Sequence, residues 1–197
     1  MVEVLELKNK KFVVNEVKAV HPDHTTYTCT WCNRPYLART FNDEASFVAA
    51  MNDYKTLKRA GINMAKICFH DDEQHIIVFD LFPEDNCLID LSKGPLSELH
   101  FQALFALYRF ARYAKISLDW EPQNFMLRGS QMFYLPTKCF PMDEKNRFEK
   151  SEEYRTWFLG KEGRALLKRK GFSIDSLPTI PELEVNKALV LNAVHFW

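Results

Sequence analysis

The period of the apolar pattern changes in a fixed order along the first 82 residues, and that order restricts the folds open to the chain. Three runs rich in β-branched and aromatic residues come first, Phe12-Val13-Val14, Tyr27-Thr28-Cys29-Thr30-Trp31 and Tyr36-Leu37-Ala38-Arg39-Thr40-Phe41. Turn formers separate them, which predicts three antiparallel strands. Asn42 or Asp43 then offers an N-cap, apolar residues recur at Phe47, Met51, Tyr54 and Leu57, and Gly61 supplies a C-terminal stop. That is the pattern of an amphipathic helix. Two more strands are predicted at 65–69 and 76–82, joined by the polar turn His70-Asp71-Asp72-Glu73-Gln74. Five strands and one helix are complete by Pro83.

The pattern then becomes helical. Leu88 to Leu91 is a short apolar piece, and Ser97 caps a long helix to about Lys115 whose apolar residues cover most of its circumference, as in a buried helix. Next comes Asp119-Trp120-Glu121-Pro122-Gln123-Asn124, an acid and an amide five positions apart. Phe125-Met126-Leu127-Arg128 and Gln131-Met132-Phe133-Tyr134-Leu135 follow, split by Gly129-Ser130, which suits a two-residue hairpin. Residues 164–170 are basic and end at Gly171, as a helix C-terminus should, and Pro178 and Pro181 precede a last apolar helix over 183–197.

With 197 residues, 47% of them hydrophobic, the chain can bury one sizeable core or two small lobes flanking a cleft. Lys and Arg total 26 against 26 Asp and Glu, so no global field draws it to nucleic acid or an anionic membrane. No apolar run reaches the roughly 20 residues of a membrane helix, and Glu3 and Glu6 stand where a signal peptide needs basic and then apolar residues. A cytoplasmic setting is expected, in which the five cysteines are mostly reduced thiols rather than a disulfide frame.

Three strands, one helix, two strands, a chain crossing, a buried helix, a D-x-x-x-x-N loop and a hairpin make an order that resembles the protein-kinase-like superfamily, in particular its small atypical members with a reduced helical lobe. The resemblance covers roughly residues 10 to 136. It implies an α+β bilobal fold, with a five-stranded N-terminal lobe over 1–82, a mainly helical lobe over 83–197 and a cleft between them. It also implies roles. Asp119 would orient and deprotonate an attacking hydroxyl, Asn124 would ligate Mg²⁺ carrying the phosphates of ATP, Arg39 would stand where the family has a phosphate-binding lysine, and Asp53 would pair with it in place of a glutamate.

Several positions depart from the family. No glycine precedes Gly61, so the loop around residues 19–26 cannot close on phosphates with its backbone amides, and Asp23 would repel a triphosphate. Arginine at 39 keeps a charge without the compact ammonium of lysine. The metal-binding acid that should follow the hairpin falls on Pro136, which cannot ligate Mg²⁺, and Asp143 could replace it only if residues 139–142 fold back. These losses point to a pseudokinase that acts as a regulatory or protein-interaction module. The alternative is an atypical phosphotransferase with Asp119 as base. A third reading takes His21, His24, Cys29 and Cys32 as a zinc set stapling a binding protein. In each case a blander role stands beside the functional one: Asp119 and Asn124 as a turn capping the hairpin, Arg39 and Asp53 as solvated positions, residues 168–170 as a helix end. The expected partner is another protein, with self-association through the apolar end Ala193-Val194-His195-Phe196-Trp197 as a further expectation.

Overall fold

The computed structural model of the chain describes residues 4–82, 84–144, 147, 148 and 151–196. It divides into two compact units, Met1–Lys55 with Met64–Pro83, and Thr56–Asn63 with Glu84–Trp197.

The first unit is an antiparallel sheet with one helix. Its strands are β1 (Val4–Leu7), β2 (Lys10–Val20), β3 (His24–Trp31), β4 (Arg34–Phe41), β5 (Ile67–Asp71) and β6 (Ile76–Asp80), ordered β1-β2-β3-β4-β6-β5. The sheet therefore has six strands where the sequence reading expected five. The extra strand is β1, which pairs Val4 with Val13 and Leu7 with Lys10. Its turn is the reason it was missed. Lys8 and Asn9 both take positive φ, 44° and 71°, and lysine is not a residue that announces such a turn.

Alternation along the strands builds two cores. Leu7, Phe12, Cys29, Tyr36, Ala38, Ile76 and Val78 pack on one face. The odd-numbered partners Ile77 and Phe79 join Phe41 and Phe47 on the other, against Ala50, Met51 and Tyr54 of the helix α1 (Glu44–Arg59). Ile76, Ile77, Val78 and Phe79 are all buried, so β6 has no solvent face. Burial of each such side chain contributes about 1.5–3 kcal/mol before entropy is counted. The face away from α1 is closed by the sheet itself, because β1 curls round to touch β5. Asp43 caps α1, its carboxylate accepting the Ser46 N–H at 2.7 Å, and that bond holds its carboxyl below the usual range.

The second unit contains α2 (Cys87–Lys93), α3 (Glu98–Tyr113), the short strands β7 (Ile116–Ser117) and β10 (Phe140–Pro141), the hairpin β8 (Phe125–Arg128) and β9 (Gln131–Tyr134), and then α4 (Lys161–Arg169) and α5 (Glu182–Phe196). Gly129 in the hairpin turn takes φ 60°, which glycine adopts without strain. Its core is aromatic: Tyr108, Trp120, Phe125, Tyr134, Phe148, Tyr154 and Trp157 are all buried. Trp120 and Phe125 stack with centroids 5.6 Å apart, and Phe148 lies 4.8 Å from Trp120. Residues 56–63 join this unit through Asn63, whose carbonyl accepts the Tyr134 N–H at 2.9 Å and whose side-chain amide donates to the Met132 carbonyl at 3.3 Å. The side chains of 192–196 and all of Trp197 lie outside the described residues, and with them the apolar end expected to self-associate.

Candidate functional site

The D-x-x-x-x-N loop hangs from one buried indole. After α3 the chain reverses through Lys115, at φ 57°, into β7. Leu118 and Trp120 face the core and leave Asp119 exposed between them. The Trp120 indole N–H donates to Ser117 Oγ at 3.1 Å, and the Trp120 carbonyl accepts the Trp157 indole N–H at 2.8 Å. Pro122 then starts a single 3-10 turn, Pro122–Asn124, for which its fixed φ is suited. The turn folds Asn124 back, so that its side-chain amide donates to the Asp119 carbonyl at 3.2 Å. Asp119 and Asn124 are thus brought together.

Asp119 has two further ties. Its N–H donates to the Tyr134 hydroxyl at 3.2 Å, and that hydroxyl donates to the Lys138 carbonyl at 2.9 Å. One carboxylate oxygen, Oδ1, accepts the Glu121 N–H at 3.4 Å, a long Asx-type contact. With the Asn124 nitrogen engaged, Oδ1 is the atom of that amide that a metal would use.

Glu121 is a member of this loop that the sequence reading did not single out. Its half-buried carboxylate meets Arg169 at 3.0 Å, Lys170 at 3.7 Å and the Gln123 amide at 2.8 Å. The end of α4 is therefore fastened to the loop, and residues 169 and 170 are more than a solvated helix end. An acid between Asp119 and Asn124, with a basic run downstream, was the available signal.

Pro136 stands beside Asn124. The Leu135 N–H donates to the Asn124 carbonyl at 2.8 Å, continuing the β8–β9 ladder by one pair, and Pro136 is the next residue. The chain does not then return Asp143 to the loop. Phe140 pairs with Ser117, Pro141 with Ile116, and the Met142 N–H donates to the Lys115 carbonyl, a register that runs on towards α3 and carries Asp143 away from Asp119. A Mg²⁺ ion asks for a near-octahedral set of oxygens, usually including a carboxylate or two. Among the described residues no group of three His, Cys, Asp or Glu side chains could hold a metal ion, and next to Asn124 the chain supplies Asp119 but, at Pro136, no second acid.

The remaining candidates lie in the first unit. Arg39 is opposite Ile77 in the β4–β6 ladder, on the face that α1 covers, with its guanidinium 5.1 Å from the centre of the Phe79 ring. Asp53 is half-buried on α1. The glycine-free turn between β2 and β3 is tight: the His21 N–H donates to the His24 carbonyl at 2.8 Å. Asn42 fastens it from outside, donating its backbone N–H to Asp23 at 3.0 Å and its side-chain amide to the Pro22 carbonyl at 2.8 Å. His24 stacks on His21 at 4.5 Å and meets Asp23 at 2.9 Å. Burial, then the charge of Arg39, hold its imidazole below the ordinary value despite that acid.

The zinc candidates are spread along β3. His21 and His24 sit at one end, while Cys32 is exposed in the opposite turn, eight residues and roughly 26 Å of strand from His24 at about 3.3 Å per residue. Cys29 is fully buried between them. Its thiol donates to the Tyr36 carbonyl at 3.7 Å and is pushed up to about 11 by burial, which opposes the thiolate that zinc needs. The four side chains do not converge.

No family model matches the sequence, and no curated protein resembles it closely enough to lend a function. Solved structures resemble it in fold, 957 chains in all, so the likeness is to a broad architecture and not to one specialised member. The BubR1 kinase domain superimposes with a TM-score of 0.52 at 11% identity over 71% of this chain. The autoinhibited serine kinase domain of the giant muscle protein titin gives 0.54 at 16% identity, again over 71%. The chain spans about half the length of each, 50% and 48%. No helix among the described residues is long and apolar enough to cross a membrane. With the sheet order, the buried helix and the Asp119 loop in place, the chain has a protein-kinase-like fold.

Proposed function

We propose that the protein is a catalytically impaired kinase-like module that acts through contacts with another protein. The position of Pro136 carries this reading. It directly follows the residue bonded to Asn124, where a second metal-binding oxygen would be needed, and a proline side chain has no donor to offer. The turn between β2 and β3 adds to it, since its Pro22 and Asp23 carbonyls are held by Asn42 and no glycine lets its amides close on phosphate.

The specific rival is an atypical phosphotransferase with Asp119 as base, Asn124 at the metal and Arg39 at the phosphate. The exposure of Asp119 and the tie between it and Asn124 favour that reading. One experiment decides between them. Thermal shift with ATP and Mg²⁺, together with single-turnover assays using radiolabelled ATP, is expected to give no stabilisation and no transferred phosphate. Phosphate transfer that Asp119→Ala abolishes would sink the impaired-module reading.

A further inference from the structure

Helix α3 begins at a serine whose side chain does not cap it. Ser97 is the N-cap residue, with extended backbone at φ −74° and ψ 162°, yet its hydroxyl makes no bond to a first-turn amide. The hydroxyl lies instead 2.8 Å from Nδ1 of His100, one turn further on. The other ring nitrogen is turned inward. Nε2 of His100 is buried without a hydrogen-bond partner, 3.5 Å from Asp90 Oδ2 on α2, and the imidazole side chain is only 13% exposed. Asp90 is held in its turn by Lys93, whose ammonium is 3.5 Å from Asp90 Oδ1 and 2.7 Å from Asp85. Hydroxyl, imidazole and carboxylate therefore stand in series.

The series selects a tautomer. A lone pair on Nε2 would face the carboxylate and be repelled, so the proton sits on Nε2 and the Nδ1 lone pair is left to accept the Ser97 hydroxyl proton. That is the pattern of an activated nucleophile, in which a hydroxyl meets a base and a third group orients the base. The 3.5 Å separation from Asp90 is a charge contact of the kind that tightens when a substrate binds. All three side chains line one cavity of about 370 Å³, to which Pro95, Leu96 and Leu127 give an apolar wall, and Ser97 is exposed at it. Its size suits a small molecule. The Glu98 and Leu99 amides, in the first turn of α3, have no intrahelical acceptor, and the positive end of the helix dipole favours an oxyanion forming beside Ser97.

We propose that Ser97 is a nucleophile for acyl transfer and that this cavity takes a small carboxylic ester. Ser97 Oγ bonds to the acyl carbon as its proton passes to His100 Nδ1. The bond from that carbon to the ester oxygen then breaks, and the alcohol leaves with the proton. Water attacks the acyl-serine in the second half, giving its proton to Nδ1, from which it returns to Ser97 Oγ as the acid departs. Ester and water become acid and alcohol, with no other reactant consumed. Ser97 and His100 are the catalytic residues, and Asp90 positions the imidazole. The site does not use the Asp119 loop, so the proposal is independent of that loop's chemistry.

Treatment of the full chain with a fluorophosphonate, which phosphonylates activated serines, tests it, with peptide mapping by mass spectrometry and hydrolysis of p-nitrophenyl acetate followed in parallel. The adduct is expected on Ser97. Ser97→Asn keeps a good N-cap residue without the hydroxyl, and it should lose the adduct and lower kcat/KM for the ester at least about 100-fold, as should His100→Gln. Ser92→Ala, on α2 and outside the cavity wall, should change neither. Asp90→Asn is expected to move the His100 proton from Nε2 to Nδ1, read from heteronuclear NMR of the imidazole nitrogens, and to lower kcat with KM little changed. An absent adduct at Ser97, ester hydrolysis that survives Ser97→Asn, or a wild-type His100 that carries its proton on Nδ1 each overturns the proposal.

Discussion

Tyr134 shows how much one oxygen can hold. Its hydroxyl accepts from the Asp119 backbone and donates to that of Lys138, while its ring is fully buried against Phe125. Tyr134→Phe keeps the packing and strands the Lys138 carbonyl, so a loss of about 1–3 kcal/mol is expected, read as a lower urea midpoint with an unchanged slope. His24 acts through protons. Its folded value lies below the ordinary 6.5, so the unfolded chain binds the proton more readily. Its contribution is complete above pH 6.5 and is lost as pH falls through the lower folded value. His24→Gln should therefore lose less stability than the wild type between neutral and mildly acidic pH, measured by urea titrations at each pH. Neither residue's role was legible in the sequence, because each depends on a partner contributed by a distant segment or a neighbouring strand. The proximity of Asp119 and Asn124 is legible because they are only five positions apart in the chain. Glu121 is not legible as part of the loop, because its partner Arg169 lies 48 residues further on.

Elements are legible in the sequence where a period and a terminus agree. α3 begins after Ser97 as its cap predicts, and the hairpin turns at Gly129. β1 was missed since four residues and a Lys-Asn turn carry almost no pattern, and the β7–β10 pair was missed because two-residue strands have no period at all. The start of α4 is set by a close approach that only the fold reveals. A Cβ on Gly163 would lie 1.8 Å from the Phe158 carbonyl oxygen and 2.9 Å from that of Thr156, both backbone atoms that cannot swing away. Gly163→Ala should force α4 off the preceding turn, Glu152–Trp157, at a cost of about 1–3 kcal/mol or more. Faster hydrogen exchange in α4 than in α2 would register it, and wild-type exchange in α4 would show the contact to be dispensable.

The whole molecule is partitioned in a way that its linear order hides. The sequence reading divided it at residues 82 and 83, whereas residues 56–63 cluster with the second unit although they finish a helix begun in the first. Leu57 and Ile62 are buried there, and Asn63 supplies two backbone-directed hydrogen bonds to the β9 strand. A fragment of 84–197 lacks all of them. It should unfold without a cooperative transition in urea, and addition of a peptide spanning 56–63 should restore protection of the Tyr134 amide to hydrogen exchange. A fragment as cooperative as its counterpart in the whole chain would show that segment to be ornamental.

The bond from Asn63 to Met132 also has a consequence in time. Its two ends are 69 residues apart, and β5 and β6 lie in the interval. During synthesis Asn63 leaves the ribosome long before the strand it serves has been made, so the stretch 56–63 must wait with Leu57 and Ile62 uncovered. Closing so long a loop late is the kind of step that slows folding. A nascent chain halted before β9 emerges leaves this apolar stretch without its partner strand, the kind of exposure that favours misassociation.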